Sequence, residues 1–223
     1  ARHVLKAVVD PEHDISNESF PFMACGEITV CGGTPARLFR ISFSGELAYE
    51  IAVPARYGDA MIRALMQAGE PYDITPYGTE ALGVMRIEKG HVTGNELNGT
   101  ITAQNLGMAR MVSAKKDSIG AVLAGREALV AEDGLCLVGL EAVDGKPVTA
   151  GAHLFAEGTP VDPAHDEGYV TSAAYSPHME CSIGLGWIGS VLSFFTQHRY
   201  TAISTLRLSP PKPVELDVKA EGK

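Results

Sequence analysis

Two glutamates in the segment 40–54 have the type and spacing to bind a ligand. Glu46 and Glu50 are separated by Leu47, Ala48 and Tyr49. In a β-strand, residues two apart share a face, so the pattern predicts two short strands around a Ser44-Gly45 turn, with both carboxylates on one open face. A carboxylate beside an open space can accept two parallel N–H groups of a ligand. The same spacing fits two solvated glutamates, the more common situation for charged residues.

The elements around this segment are predicted by apolar periodicity and turn residues. A helix is expected around Val4, Leu5 and Val8, and a hairpin is expected to join strands 27–31 and 37–43 through the turn 31–34. The alternate positions of the opening segment are apolar and predict a core-facing side: Leu47, Tyr49, Ile51 and Val53. A second helix is expected after Pro54, ending at Gly69 and Pro71.

A further helix is predicted from Thr79 to Lys89, with apolar residues on nearly all sides. Arg86 and Glu88 lie two residues apart in it and point to different faces, so they cannot pair with each other. Each needs a partner elsewhere, because a buried unpaired charge is unfavourable. We favour the interpretation that both brace this helix against strands. Gly90 is the expected C-cap.

The remaining chain divides into a polar half and a strand-rich half. A long polar loop is expected over 91–105, a short strand over 108–113 and a helix over 125–130. From residue 131 onward, short apolar runs alternate with turn residues, which predicts a small β-barrel or sandwich. The expected fold is therefore α+β, with an α/β domain at 1–130 and a β-rich domain at 131–223.

Composition excludes several classes of function. The 223 residues carry a net charge of −9, which argues against nucleic-acid binding. No apolar run approaches the roughly 18 residues of a membrane span, and no signal peptide is apparent, so we expect a cytoplasmic location. The four cysteines are scattered, and the histidines form no ligand pattern, so no metal site is expected. The chain begins without Met, within a predicted helix, and we expect it to be part of something longer.

Two other patterns are better explained without a ligand. Residues Gly184 to Gly189 match G-x-G-x-x-G, but they lie in the β-rich region, where the nucleotide-binding strand–helix context is missing. We interpret them as a glycine-rich barrel strand. The cluster of Asp162, His165, Asp166 and Glu167 fits a solvated turn.

Three segments resemble motifs of the glycine-cleavage aminomethyltransferase family. Residues 39–51 (FRISFSGELAYEI) resemble G-Y-T-G-E-x-G-[FVY]-E-I, and residues 85–90 (MRIEKG) resemble L-R-L-E-A-G. Residues 168–186 resemble the G-x-V-T-S…S-P…I-A-L-A pattern of the family's C-terminal barrel. The exact residues of these motifs are closer to those of the α subunits of heterotetrameric sarcosine oxidases. The resemblance covers about residues 1–190.

The resemblance implies a partial aminomethyltransferase-type folate-binding domain followed by a small antiparallel β-barrel. Glu50 would hold the pterin of tetrahydrofolate, Glu46 and Phe43 would shape the pocket, and Arg86 and Glu88 would brace it. Arg86 is counted with the first three as a cofactor-binding residue. Leu82 stands where relatives have an arginine, and Met108 where they have a tryptophan, so those two contacts are not expected. The family's catalytic aspartate lies in an N-terminal half that this chain lacks, so no catalytic residue is expected here.

The oxidase branch implies conversion of sarcosine, oxygen and tetrahydrofolate to glycine, 5,10-methylenetetrahydrofolate and hydrogen peroxide. FAD, FMN and NAD would bind elsewhere in a hetero-oligomer, and this chain alone would be inactive. Two alternatives are a flavin-independent aminomethyltransferase and a non-catalytic folate-binding or docking module. An exposed apolar face is expected where missing parts would pack, and with it self-association.

Overall fold

The computed structural model describes residues 1–113, 115–131, 134–143, 145–156, 158–189, 200–202 and 204–209. Contacts within the chain divide it into two compact units, Ala1–Leu82 and Gly83–Lys223. The domain boundary expected near residue 131 falls inside the second unit and stays a prediction.

The first unit is a three-stranded antiparallel sheet with helices. Its elements are α1 (Arg2–Lys6), β1 (Cys25–Val30), β2 (Thr34–Phe39), β3 (Glu50–Ala52) and α2 (Gly58–Gly69), with sheet order β1-β2-β3. Short 3-10 helices flank α2 at Ala55–Tyr57 and Glu70–Tyr72. One core joins the elements, with buried Leu5 from α1, Val30 and Leu38 from the sheet, and Met61 from α2.

The hairpin between β1 and β2 confirms the predicted turn at 31–34. Val30 pairs with Thr34, and the intervening Gly32 and Gly33 have φ of 80° and 104°, a region that favours glycine. The carboxylate of Asp10 accepts the backbone N–H groups of both glycines at 2.8 Å. The hydrogen bond from Gly32 is the main cause that lowers the pKa of Asp10.

Helix α3 (Thr79–Lys89) has the predicted bounds and crosses from the first unit into the second. Its end at Gly90 is confirmed: the N–H of Gly90 bonds to Ile87 O, and that of His91 bonds to Arg86 O at 2.8 Å. The expected burial on nearly all sides is wrong. Only Arg86 and Ile87 are buried, because a single face of the helix packs against the barrel.

Between α3 and the barrel, two expected elements are wrong. The expected strand over 108–113 is a 3-10 turn (Ala109–Met111), and the expected helix over 125–130 is a 3-10 turn (Glu127–Leu129). A helix that the sequence reading missed, α4, spans Ile119–Ala124. Large apolar side chains are exposed along this stretch: Met111, Val112, Ile119, Val122 and Leu123.

The β-rich region forms a closed antiparallel barrel, which confirms the predicted fold class. Its strands are β4 (Cys136–Ala142), β5 (His153–Ala156), β6 (Gly168–Ser176), β7 (Cys181–Ile188), β8 (Tyr200–Ala202) and β9 (Ser204–Ser209). They pair in the order β4-β7-β6-β5-β8-β9, and β4 also pairs with β9. Strands β8 and β9 lie within the β-rich domain predicted over 131–223. The barrel interior is filled by alternate residues of its strands: Val138, Leu140, Ala142, Leu154, Val170 and Ile188.

The glycine-rich stretch 184–189 lies on β7 and its end, as interpreted from sequence. A Cβ at Gly184 would lie 2.8 Å from the carbonyl oxygen of Ser172, and one at Gly186 would lie 2.8 Å from that of Tyr169. These glycines therefore allow β7 to approach β6 closely. They lie inside a strand, whereas the dinucleotide-binding glycines lie at a turn between a strand and a helix.

No helix in the described ranges is both long and apolar enough to cross a membrane. Among the same residues, no group of His, Cys, Asp and Glu side chains is arranged to hold a metal ion. Residues 190–199 and 210–223 lie outside the described part of the chain. The sequence predicts that the proline-rich, charged tail from residue 210 onward is loosely held.

We predict that Gly184→Ala destabilises the second unit by about 1–3 kcal/mol, because the added methyl group must displace backbone. Gly139→Ala on the adjacent strand is the matched control, since no described atom lies within 4 Å of the added Cβ. Urea denaturation followed by circular dichroism measures both changes. Equal losses of stability in the two variants would contradict this explanation.

Candidate functional site

The segment between β2 and β3 folds as a turn and not as two strands, so that part of the prediction is wrong. The hydroxyl oxygen of Ser42 accepts the backbone N–H of Gly45 at 2.8 Å, and Gly45 has φ of 105°. A serine side chain that bonds to nearby backbone competes with strand pairing. Strand β2 therefore ends at Phe39, and only Glu50–Ala52 returns to the sheet as β3.

The predicted alternation of faces holds from Tyr49 to Val53. Tyr49, Ile51 and Val53 are half-buried against the core of the first unit, while Glu50 and Ala52 are exposed. Leu47 was expected on the apolar side, but it is 45% exposed because it belongs to the turn. The core therefore determines the direction of the Glu50 side chain: with Ile51 inward, Glu50 must point outward.

Glu50 lies on an edge strand with its carboxylate unengaged. Within the described part of the chain, no hydrogen bond or ion pair involves this carboxylate. An exposed carboxylate on a short edge strand keeps both oxygens available for a donor pair. The geometry is what a bidentate acceptor requires, and the binding role of Glu50 stays a prediction.

Glu46 and Phe43 lie on the turn. The Ser44 hydroxyl donates a hydrogen bond to the Glu46 carboxylate, so one of its oxygens is drawn back onto its own turn. Phe43 is 37% exposed, so part of its ring can contact a ligand. Both residues precede β3 along the chain, and their predicted pocket-shaping roles stay predictions.

Arg86 belongs to the second unit and lies in a buried network around a carboxylate that the sequence reading did not single out. Its Nη1 lies 3.0 Å from Glu96 Oε2, and its Nη2 donates to Ser172 Oγ at 2.5 Å. The side chain of Arg86 is 9% exposed and that of Glu96 is 0% exposed. Arg86 is therefore an internal brace between α3, the loop after it and β6. Its additional place in a cofactor site stays a prediction.

Glu96 is surrounded by donors on both oxygens. Oε1 accepts the hydroxyls of Thr171 at 2.7 Å and Ser172 at 2.6 Å. Oε2 accepts the backbone N–H of Thr93 at 2.8 Å and its hydroxyl at 3.1 Å, besides Arg86. This carboxylate has no capacity left for a ligand, so its function is structural.

The donors keep Glu96 ionised in spite of its burial. Burial by itself raises the pKa of this carboxyl, but the hydrogen bonds from Ser172, Thr171 and Thr93, together with the charge of Arg86, outweigh it and lower the pKa below its usual value. A carboxylate with this many donors is fully compensated, as a buried charge must be.

A second, smaller contact ties the same helix to the same strand. The hydroxyl of Ser176, which is fully buried, donates to Glu88 Oε1 at 2.6 Å. Glu88 itself is exposed, so its expected burial is wrong, although its expected partner on a strand is confirmed. Between these polar contacts, Ile87 packs on Ile183 and Leu185 of β7.

Sequence reasoning missed Glu96 because it lies in a polar loop without periodicity. The available signal was the unpaired Arg86, which required a carboxylate somewhere in the fold. Thr171 and Ser172 were present in the quoted T-S motif, but their direction toward α3 depends on barrel register.

The cluster at 162–167 was expected to be a solvated turn, and this holds for all of its charged side chains except Glu167. His165 Nδ1 lies 2.7 Å from Asp162 Oδ1, and His153 Nδ1 lies 2.6 Å from Asp166 Oδ2, all on exposed or half-exposed side chains. Glu167 differs, since its Oε2 is buried and has no hydrogen-bond partner among the described residues.

Comparison with known families identifies the class of protein. The family described as the GCVT N-terminal domain matches residues 1–116, and the glycine cleavage T-protein C-terminal barrel domain matches residues 136–205. The barrel match includes β8. The chain therefore belongs to the glycine cleavage T-protein family.

Within that family the chain is similar to oxidase subunits and to aminomethyltransferases. It is 50% identical over 191 residues to the sarcosine oxidase subunit alpha of Rhizobium meliloti (strain 1021), covering 84% of this chain and 19% of that protein. Identity to the same subunit of Corynebacterium sp. (strain U-96) is 42% over 184 residues, or 78% and 18% of the two chains. The aminomethyltransferase of Burkholderia multivorans is 33% identical, covering 82% and 47%.

A solved structure shows the same fold. The glycine cleavage system aminomethyltransferase T from Bartonella henselae superposes with a TM-score of 0.63 at 20% identity, covering 86% of this chain and 52% of that one. The chain thus spans about a fifth of the oxidase subunits that it resembles and about half of the aminomethyltransferases.

We predict that Glu96→Gln destabilises the second unit at neutral pH by about 3 kcal/mol or more, because Arg86 would keep a buried charge without its partner. Because the folded-state pKa of Glu96 is lowered, its stabilisation is present above the usual value of 4.5 and is lost as pH falls through the folded value.

The difference between wild type and Glu96→Gln should therefore be large at pH 7 and shrink well below pH 4.5. Urea denaturation at several pH values measures it. Glu127→Gln, at an exposed position of the same unit, serves as control and should change stability little at any pH. A pH-independent loss in Glu96→Gln would argue against a charge-based brace.

Proposed function

We propose that this chain contributes the pterin-binding carboxylate of a tetrahydrofolate site in a sarcosine-oxidase-type α subunit. The observation that carries the proposal is Glu50: an exposed carboxylate, unpaired among the described residues, held outward on an edge strand by the burial of Ile51. Family membership over residues 1–116 supplies the folate class of ligand.

The chemistry of the ligand fits the geometry of this carboxylate. The 2-amino group and N3–H of a reduced pterin are two parallel donors on one edge of a flat ring. A carboxylate accepts such a pair with two charge-assisted hydrogen bonds, which fix orientation as well as position. Glu50 has both oxygens available, whereas Glu46 already accepts the Ser44 hydroxyl. We therefore assign the anchoring role to Glu50, and a role in shaping the pocket to Glu46 and Phe43.

Arg86 contributes to this function through structure. Its guanidinium is directed to Glu96 and Ser172, so it has little left for a ligand. We propose that Arg86 and Glu88 hold helix α3 in the position that the rest of the binding domain requires.

The proposed reaction of the whole assembly is the oxidative demethylation of sarcosine. Sarcosine, oxygen and tetrahydrofolate give glycine, 5,10-methylenetetrahydrofolate and hydrogen peroxide, with the oxidation supplied by flavin bound outside this chain. FAD, FMN and NAD belong to this proposal through the resemblance alone. The higher identity to oxidase subunits than to aminomethyltransferases favours the oxidase over a flavin-independent transferase.

The proposed partners are the other subunits of the oxidase. The exposed apolar side chains between Met111 and Leu123 are a surface for such contacts, and self-association of the isolated chain stays a prediction. All four cysteines are free thiols, which is typical of a reducing compartment and agrees with the proposed cytoplasmic location.

We predict that Glu50→Gln, made in the full natural polypeptide with its subunits, weakens tetrahydrofolate binding about 10- to 100-fold. The variant loses the charge that strengthens both hydrogen bonds, a contribution of about 1.5–3 kcal/mol. Isothermal titration calorimetry measures the affinity. Glu18→Gln, an exposed glutamate of the same unit, is the control and should bind as the wild type does. Unchanged affinity in Glu50→Gln would refute the assignment.

The oxidase and transferase alternatives are separated by the native assembly. We expect the purified complex to show flavin absorbance and to release hydrogen peroxide with sarcosine. A complex without flavin that transfers one-carbon units to tetrahydrofolate would support the transferase.

A further inference from the structure

We propose that Phe39 forms the flat apolar surface on which the ring anchored by Glu50 lies. This inference rests on the proposed folate site and adds a residue to it. Phe39 is the last residue of β2, and the sheet register places it directly opposite Glu50 on β3.

Register puts both side chains on the same, outer face of the sheet. Residues that are directly opposite in an antiparallel pair share a face, and neighbours along a strand alternate. The adjacent pair, Leu38 and Ile51, points into the core, where Leu38 is fully buried. Phe39 and Glu50 therefore point away from that core.

The distance between the two side chains suits a stacked ligand. Cβ atoms of directly opposite residues lie about 4.5–5.5 Å apart. The side chains of Phe39 and Glu50 therefore start from neighbouring points on the outer face of the sheet. A flat heteroaromatic ring that donates its edge to Glu50 can place its face against this ring. Offset stacking of aromatic rings is favourable by about 0.5–1.5 kcal/mol beyond burial.

The neighbours on the outer face leave room for the ring. Ala52 is the next outward residue on β3, and Cys25 is the residue opposite Phe39 on β1, so both flanking side chains are small. Arg37, opposite Ala52, is turned toward Glu27, with its Nη2 3.3 Å from Oε1. Phe39 is half-buried, and it is the only aromatic residue on the paired positions of this face in the described sheet.

Phe39 is distinct from the aromatic residue that the sequence suggested. Phe43 lies on the turn after β2, at a position determined by the Ser42–Gly45 hydrogen bond. Phe39 is instead tied to Glu50 by strand pairing, so the two residues move together. This arrangement predicts selectivity for ligands in which a flat ring carries the donor edge.

The test uses tetrahydrofolate and the full natural polypeptide with its subunits. We expect Phe39→Ala and Phe39→Leu to weaken tetrahydrofolate binding about tenfold, a figure at the upper end of aromatic stacking contributions. Phe39→Tyr keeps the ring and should bind within about twofold of wild type. Thermal unfolding of Phe39→Leu verifies that the fold is retained.

A second probe separates stacking from a general structural role. Methylguanidinium keeps two parallel N–H donors but has no ring, so its affinity should change much less in Phe39→Leu than that of tetrahydrofolate does. Equal losses for the two probes, or equal losses in Phe39→Leu and Phe39→Tyr, would overturn the stacking role.

The two proposals fail in different ways. If Glu50→Gln weakens tetrahydrofolate binding and the Phe39 variants do not, the role of Phe39 is refuted and the proposed function stands. If the wild-type assembly does not bind tetrahydrofolate, the proposed function is refuted, and the role of Phe39 falls with it.

Discussion

The second unit depends on one buried negative charge. Glu96 is completely removed from solvent, and a carboxylate in that position is tolerated only when its oxygens are matched by donors. The donors come from three places in the chain: Arg86 on α3, Thr93 in the loop, and Thr171 and Ser172 on β6. Only an arrangement that brings all three together compensates the charge. The pair adds little net stability over apolar packing, but the arrangement without it is strongly disfavoured.

Carboxylates of the chain differ in function because their surroundings differ. Glu96 is buried and saturated, so it is structural. Glu88 is exposed but accepts the Ser176 hydroxyl, so it fastens a helix to a strand. Glu46 accepts a hydroxyl from its own turn. Glu50 alone of these four is without a partner among the described residues, and it is the one for which we propose the role of ligand anchor.

Local patterns predicted the elements that local chemistry determines. Helix α3 was predicted from Thr79 to Lys89 because a run of apolar residues ends at Gly90, the expected C-cap. The β1–β2 hairpin was predicted because its turn residues favour positive φ. The barrel strands up to β7 were predicted because apolar runs alternate with turns.

The errors have physical causes that lie beyond local pattern. The strands expected around Ser44-Gly45 are replaced by a turn, since the Ser42 side chain bonds to backbone. Glu96 was missed because a polar loop carries no periodicity from which burial can be inferred. Phe39 was missed because its relation to Glu50 exists only across strands, in a register that the sequence of β2 alone does not reveal.

The short edge strand β3 links the proposed binding to the integrity of the core. It pairs with β2 through only three residues, and a slip of one residue would exchange the two faces of the strand. Such a slip would turn Ile51 toward water and Glu50 toward the apolar core, so it is opposed by both hydrophobic burial and desolvation of the charge. The packing of Ile51 thus helps to keep β3 in the register that directs Glu50 toward the proposed ligand. Substitutions that shrink this half-buried side chain are a route by which the proposed binding can be lost without any change in a residue that would touch the ligand.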